Sequence, residues 1–251
     1  MVQRRLDASA LCDWADAAVA GLIARAEEIN RLNVFPVADA DTGTNMLFTM
    51  RSALAAVTPG EGLAPTAAAL AHGAAHGARG NSGVILAEIL QALADVTADV
   101  AADAPTDGDL THIGTAVLAA VLRHAVARSV TAMGGQFVPG TVLSVLQAAA
   151  DALERADADG DGLEQALTAA GTAAADALER TTGQLGALSA AGVVDAGGRG
   201  LLVLLDSLTA TVTGHLPVRR HYPPATVPAA TTTVAPVAPP EFEVMYLLDG
   251  R

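Results

Sequence analysis

"NVFPVADADTGTNM", Asn33 to Met46, interrupts an otherwise helical chain rich in Ala, Leu, Val and Gly. Before it, Leu11, Trp14, Ala18, Leu22, Ala26 and Ile29 recur at three- and four-residue steps, which predicts one amphipathic helix over Leu6–Arg31. Pro36 stops that pattern. After it, Thr42 to Val57 is helical again. The stretch therefore reads as a loop between two helices, and the loop is unusually loaded. Two carboxylates, Asp39 and Asp41, stand two residues apart, and Thr42, Gly43, Thr44 and Asn45 follow at once.

Further helices are predicted at Pro65–His76, Val84–Val100, Leu110–Met133, Thr141–Arg155, Leu163–Thr181 and Leu201–Thr213, with no clear strand before residue 240. The expected fold is all-α, a bundle or barrel of about eight antiparallel helices, because short connections make neighbours antiparallel. Three Gly-rich loops, "HGARGNSG", "GGQFVPGT" and "AGVVDAGGRG", alternate with plainer turns. Alternate loops of an antiparallel bundle fall at the same end, so one mouth gathers them. Residues 1–215 form this unit. Residues 216–240 are Pro-rich and read as a linker. Residues 241–251, "EFEVMYLLDGR", alternate like the start of a strand and read as the beginning of a further domain.

Composition removes several function classes. The net charge of −13 argues against nucleic acid as partner. No lysine is present, so a Walker A loop, the strand lysine of protein kinases and Schiff-base chemistry are excluded in their usual forms. Cys12 is the single cysteine, which rules out an internal disulfide or a zinc knuckle. The amino-terminal stretch meets Asp7, Asp13 and Asp16 before any long apolar run and does not read as a signal peptide. "GLLVLLDSL" is too short to span a bilayer. The expectation is a cytoplasmic protein.

Two readings compete for the acidic loop. Asp41 or Thr42 could cap the following helix. Capping accounts for one carboxylate and leaves the second, with its mutual repulsion, unexplained. A metal–phosphate site accounts for more. Mg²⁺ takes oxygen ligands, often one or two carboxylates plus phosphates, and a helix start offers N–H groups to phosphate oxygens. "DADGDG", Asp157 to Gly162, imitates half an EF-hand loop, but its twelfth position is Thr168, so it reads as a turn. His72 and His76 lack an HExxH carboxylate and read as ordinary histidines.

"LNVFPVADADTGTNM", "GARGNSGVILAEIL", "PGTVLSVL" and "AGVVDAGGRGLLVLL" occur in the order seen in Dak L-type kinase domains, and the chain most resembles the ATP-binding domain of bacterial fatty acid kinases. The resemblance covers most of residues 6–213. It implies a helical barrel with ATP or ADP and a pair of Mg²⁺ ions at one end. By position it implies Asp39 and Asp41 as catalytic metal ligands and Asn33 as a weaker neutral ligand. Thr42, Thr44, Asn45, Asn81 and Ser82 would lie near phosphates, with Gly140, Thr141, Asp195, Gly197 and Gly198 around the nucleotide. The usual pattern reads NVFPVPDGDTGTNM. Here Ala38 and Ala40 replace its Pro and Gly, and an alanine does not readily take φ > 0.

The implied reaction is phosphoryl transfer to a fatty-acid carboxylate carried by a separate DegV-like binding protein. Contact with membrane lipid metabolism and a homodimer are further expectations. The alternatives are a dihydroxyacetone kinase L-type subunit and a nucleotide-binding module that transfers nothing.

Overall fold

The computed structural model describes residues 4–103 and 110–224. The expected tail at 241–251 and the linker beyond residue 224 lie outside the described residues. Within them, every regular element is helical: α1 (Ala8–Leu32), α2 (Thr42–Ala55), α3 (Leu63–Gly77), α4 (Gly80–Asp103), α5 (Thr115–Ala132), α6 (Val142–Ala158), α7 (Leu163–Gln184), α8 (Gly186–Ala191) and α9 (Ala196–Thr213). The all-α expectation holds. Each long helix packs on the next, and α9 packs on both α7 and α1, which closes the ring.

The ring can close tightly because its contact faces are small. Ala10, Ala15, Ala18, Ala53, Ala67, Ala74, Ala149 and Ala170 have essentially no exposure. Leucines fill the interior, among them Leu11, Leu22, Leu86, Leu90, Leu146 and Leu153. Trp14 is buried there and donates its indole N–H to the Leu204 carbonyl at 3.1 Å. No helix of the described residues is long and apolar enough to cross a membrane. The apolar run in α9 is instead wrapped by its neighbours, and Asp206 within it is paired with Arg219 at 2.8 Å.

Two predicted loops are shorter than the sequence suggests. Gly80–Gly83 is the first turn of α4, and Ala196–Gly200 is the first turn of α9. Glycine disfavours helix interiors, which is why the sequence reads as loop. Packing reverses that preference, since a Cβ on Gly83 would meet Thr49 Oγ1 at 2.6 Å and one on Gly198 would meet Val145 Cγ2 at 2.7 Å. Leu110 to Gly114 lies outside α5. There Ile113 donates its N–H to the Leu6 carbonyl at 2.8 Å in an isolated bridge. The Asp157–Gly162 stretch is the end of α6 and a turn into α7.

Candidate functional site: four helix starts around an acidic loop

Antiparallel packing puts the loops 33–41, 78–79, 133–141 and 192–195 at one end of the ring. The amino termini of α2, α4, α6 and α9 open onto that end. Each brings the positive end of a helix dipole.

The acidic loop is held in a form that keeps its carboxylates out of the helix cap. Asp41 sits at the N-cap position of α2 but makes no side-chain cap bond. Asn30, in the last turn of α1, does that work from across the interface. Its Oδ1 accepts from Gly43 N–H at 2.7 Å and Thr44 N–H at 3.2 Å, and its Nδ2 donates to Thr44 Oγ1 at 2.9 Å. Gly43 is required for this approach, as a Cβ there would lie 2.5 Å from the Ala26 carbonyl oxygen. Asp39 accepts from Asn33 Nδ2 at 2.6 Å. Asn45 donates to Asp41. Between the two carboxylates Ala40 has φ of 56°, the left-handed region. The loop thus keeps a glycine-type conformation although the residue is alanine.

Burial pushes the Asp41 carboxyl above its ordinary pKa. The Asn45 bond opposes this, and the neighbouring Asp39 carboxylate adds to it. Asp39 is exposed and Asp41 half-buried.

The other loops complete the end. Gly80, at φ of 57°, lies against Asn45, where a Cβ would come within 2.6 Å of Nδ2. Asn45 therefore links the acidic loop to the start of α4. Beside it a cleft of ≈ 130 Å³ is lined by Thr42, Asn81, Ser82, Thr141, Asp195 and Gly197 on its polar side. Phe35, Ile85, Val138 and Leu143 form its apolar side. Asp195 is almost fully buried. It accepts from Gly198 N–H at 2.7 Å and from the Val142 N–H, and so caps α9 and α6 together. Desolvation nonetheless raises its pKa to about 6, against those two bonds.

The family model described as the DAK2 domain matches residues 36–210. The chain belongs to the DAK2 domain family. Comparison with curated proteins gives no match. Among solved structures, this DAK2 domain resembles the native dihydroxyacetone kinase of C. freundii, with a TM-score of 0.58 and 19% identity over 84% of this chain and 36% of that one. It also resembles the same kinase in complex with AMP-PNP and Mg²⁺, with a TM-score of 0.57 and 18% identity over 84% of this chain and 35% of that one. At such identity the likeness establishes the fold, and the chain spans about a third of the length of that kinase.

Six sequence-predicted residues of the DAK2 domain, Thr42, Asn81, Ser82, Thr141, Asp195 and Gly197, line the one cleft. Asp39, Asp41, Asn33, Thr44 and Asn45 form the adjoining acidic loop and helix start. Asn33 donates its amide N–H to the Asp39 carboxylate at 2.6 Å. Gly140 and Gly198 lie outside the cleft lining. Gly140, at φ of 82°, is a turn packed on Leu185, and Gly198 is buried against Val145 and Leu178. Sequence reasoning missed Asn30, which looks like any polar helix residue. It also missed Ser144, whose Oγ accepts from Gly140 N–H at 2.9 Å.

The donor set suits a hard cation that arrives with its own ligands. Two carboxylates converge, and no group of three or more His, Cys, Asp or Glu residues able to hold a metal exists among the described residues. Mg²⁺ bound by one or two carboxylates and completed by phosphate oxygens fits that set.

Proposed function

We propose that this DAK2 domain binds ATP with Mg²⁺ at the end formed by the acidic loop and the four helix starts, and transfers the γ-phosphoryl group to an acceptor oxygen. The observation that carries this reading is that Asn30, not Asp41, caps the start of α2, which leaves two adjacent carboxylates uncommitted to the helix cap. The C. freundii complex with AMP-PNP and Mg²⁺ supports the same ligand class.

Asp39 and Asp41 would hold Mg²⁺, which neutralises charge on the phosphate oxygens. Thr42, Thr44 and the first N–H groups of α4, with Asn81 and Ser82, would orient the phosphates. The apolar side of the cleft, at Phe35, Ile85, Val138 and Leu143, would take a flat base. Its ≈ 130 Å³ is smaller than the roughly 300 Å³ at which small-molecule sites begin, so it suits part of a nucleotide rather than the whole. In the reaction the γ-phosphorus–oxygen bond to the β-phosphate breaks. A bond to the acceptor oxygen forms, and ADP leaves with the electron pair.

For the acceptor we propose a fatty-acid carboxylate presented by a separate fatty-acid-binding protein. A carboxylate is ionised near neutral pH and needs no base, and neither the cleft lining nor the acidic loop contains a histidine. Dihydroxyacetone is the second reading, favoured by the structural neighbours. The test offers each acceptor with γ-labelled ATP and traps acyl phosphate with hydroxylamine. Hydroxamate formation supports the carboxylate. Label on dihydroxyacetone alone overturns it, and binding without transfer to either overturns kinase activity.

A further inference from the structure

The chain does not leave the bundle where α9 ends. After Gly214 it turns back and runs along the outside of α9 toward the nucleotide end. Arg219 forks onto Asp206 in mid-helix, at 2.8 and 3.1 Å, and reaches the Gly171 carbonyl of α7 at 3.1 Å. Arg220 pairs with Glu179 of α7 at 3.0 Å. Tyr222, 4% exposed, then lies beside Arg199 in the first turn of α9, with the guanidinium 5.6 Å from the ring centroid.

Arg199 is an odd residue for its place. It is a cation, 2% exposed, near the amino terminus of a helix, where the dipole disfavours positive charge. Glu28 of α1 offsets it at 2.9 Å. Burial pushes the Glu28 carboxyl up, but Arg199 and Arg25 together hold it below its ordinary pKa. His221 stands 4.0 Å from the same carboxylate. Breaking such a pair leaves an uncompensated buried charge, so the pair is a strong tie between α1 and α9.

Both ends of that tie lie next to the acidic loop's supports. Ala26 and Asn30, on either side of Glu28, are the bed and the cap for the start of α2. Gly200, beside Arg199, sits against Met46 of α2.

We infer that residues 217–222 are a clasp over the Glu28–Arg199 pair, and that Tyr222, Arg199 and Glu28 are positioning residues that set the start of α2, and with it Asp41, for the nucleotide. The inference rests on the proposed nucleotide site. Removing the Tyr222 ring admits water to the ion pair, weakens the tie and loosens the cap at Gly43 and Thr44.

The test uses the whole chain and four proteins: wild type, Tyr222→Ala, Tyr222→Phe, and Leu118→Ala as a core variant remote from this end. Two readouts are taken well below the melting temperatures: Mg·ATP affinity by calorimetry, and amide hydrogen exchange at Gly43 and Thr44 without ligand. Tyr222→Ala weakens Mg·ATP by roughly 3- to 30-fold, the span of coupling through packed networks, and speeds exchange at both amides. Tyr222→Phe restores both, because the ring and not the hydroxyl meets Arg199. Leu118→Ala changes melting but neither readout. Exchange and affinity unchanged in Tyr222→Ala, or changed equally in Leu118→Ala, overturns the clasp. A wild type that does not bind Mg·ATP overturns the site itself, and exchange at Gly43 and Thr44 still decides the clasp's hold on α2.

Discussion

Replacing Ala40 by glycine should stabilise the protein, and the amount follows from one angle. Ala40 has φ of 56°, where an L-residue with a Cβ is strained by about 1–2 kcal/mol. Its side chain is exposed, so deleting it forfeits little packing. Glycine adds back roughly 0.4–1 kcal/mol of disorder in the unfolded chain. The net expectation is a gain of about 0.5–1 kcal/mol, or ~1–4 °C in melting temperature for a domain of this size. Denaturant unfolding and calorimetric melting of wild type and Ala40→Gly measure it. Mg·ATP affinity should change little, because the alanine chain already holds the loop in the glycine conformation. A variant that is less stable than wild type, or one that gains tenfold or more in nucleotide affinity, would contradict a strained Ala40. Either result would mean that the alanine loop does not hold this left-handed turn.

Asn30→Ala removes the acceptor for two N–H groups and the donor to Thr44, and should cost about 1–3 kcal/mol. Denaturant titration checks this, and Asn30→Asp, which retains an acceptor, should recover most of the loss. Gly80→Ala places a Cβ against Asn45 at a left-handed φ, so it should lower both the melting temperature and Mg·ATP affinity; calorimetry on the variant reads both. Asp195 has a raised folded-state pKa of about 6, against an ordinary 3.8. Between those values the native chain holds a proton that the unfolded chain lacks. Its contribution is therefore full below pH 3.8 and is lost as pH rises through 6, by about 3 kcal/mol. Stability curves of wild type and Asp195→Asn over pH 4–7 should diverge by that order, with wild type falling relative to the variant. Parallel curves would contradict the shift.

The helices were legible because the apolar period is strong, and the alternation of three Gly-rich loops with plainer turns gathers those loops at one end. The helix starts at Gly80 and Ala196 were not legible. Glycine propensity argues against them, and only the lack of room beside Thr49 and Val145 shows why the chain accepts the cost. Asp39 and Asp41 could be read as a pair. Their freedom from capping could not, because Asn30 comes from another helix and carries no local signal. Asp195 reads as a loop residue and proves to be a shared cap for α6 and α9. Arg219, Arg220 and Tyr222 sit at the edge of a Pro-rich segment, and nothing local distinguishes a clasp from a linker. The carboxylates they need, Asp206 and Glu179, lie 13 or more residues away.

The proposed site binds ATP at this end of the ring through Mg²⁺ on Asp39 and Asp41. Calorimetric titration of ATP into the chain, with Mg²⁺ and then with the metal chelated, tests it most directly when repeated on Asp39→Asn and Asp41→Asn. Binding should require Mg²⁺, Mg²⁺ alone should give little heat, and either variant should lose affinity by tenfold or more with the fold retained. Metal-independent binding, or variants that bind as wild type does, would contradict it.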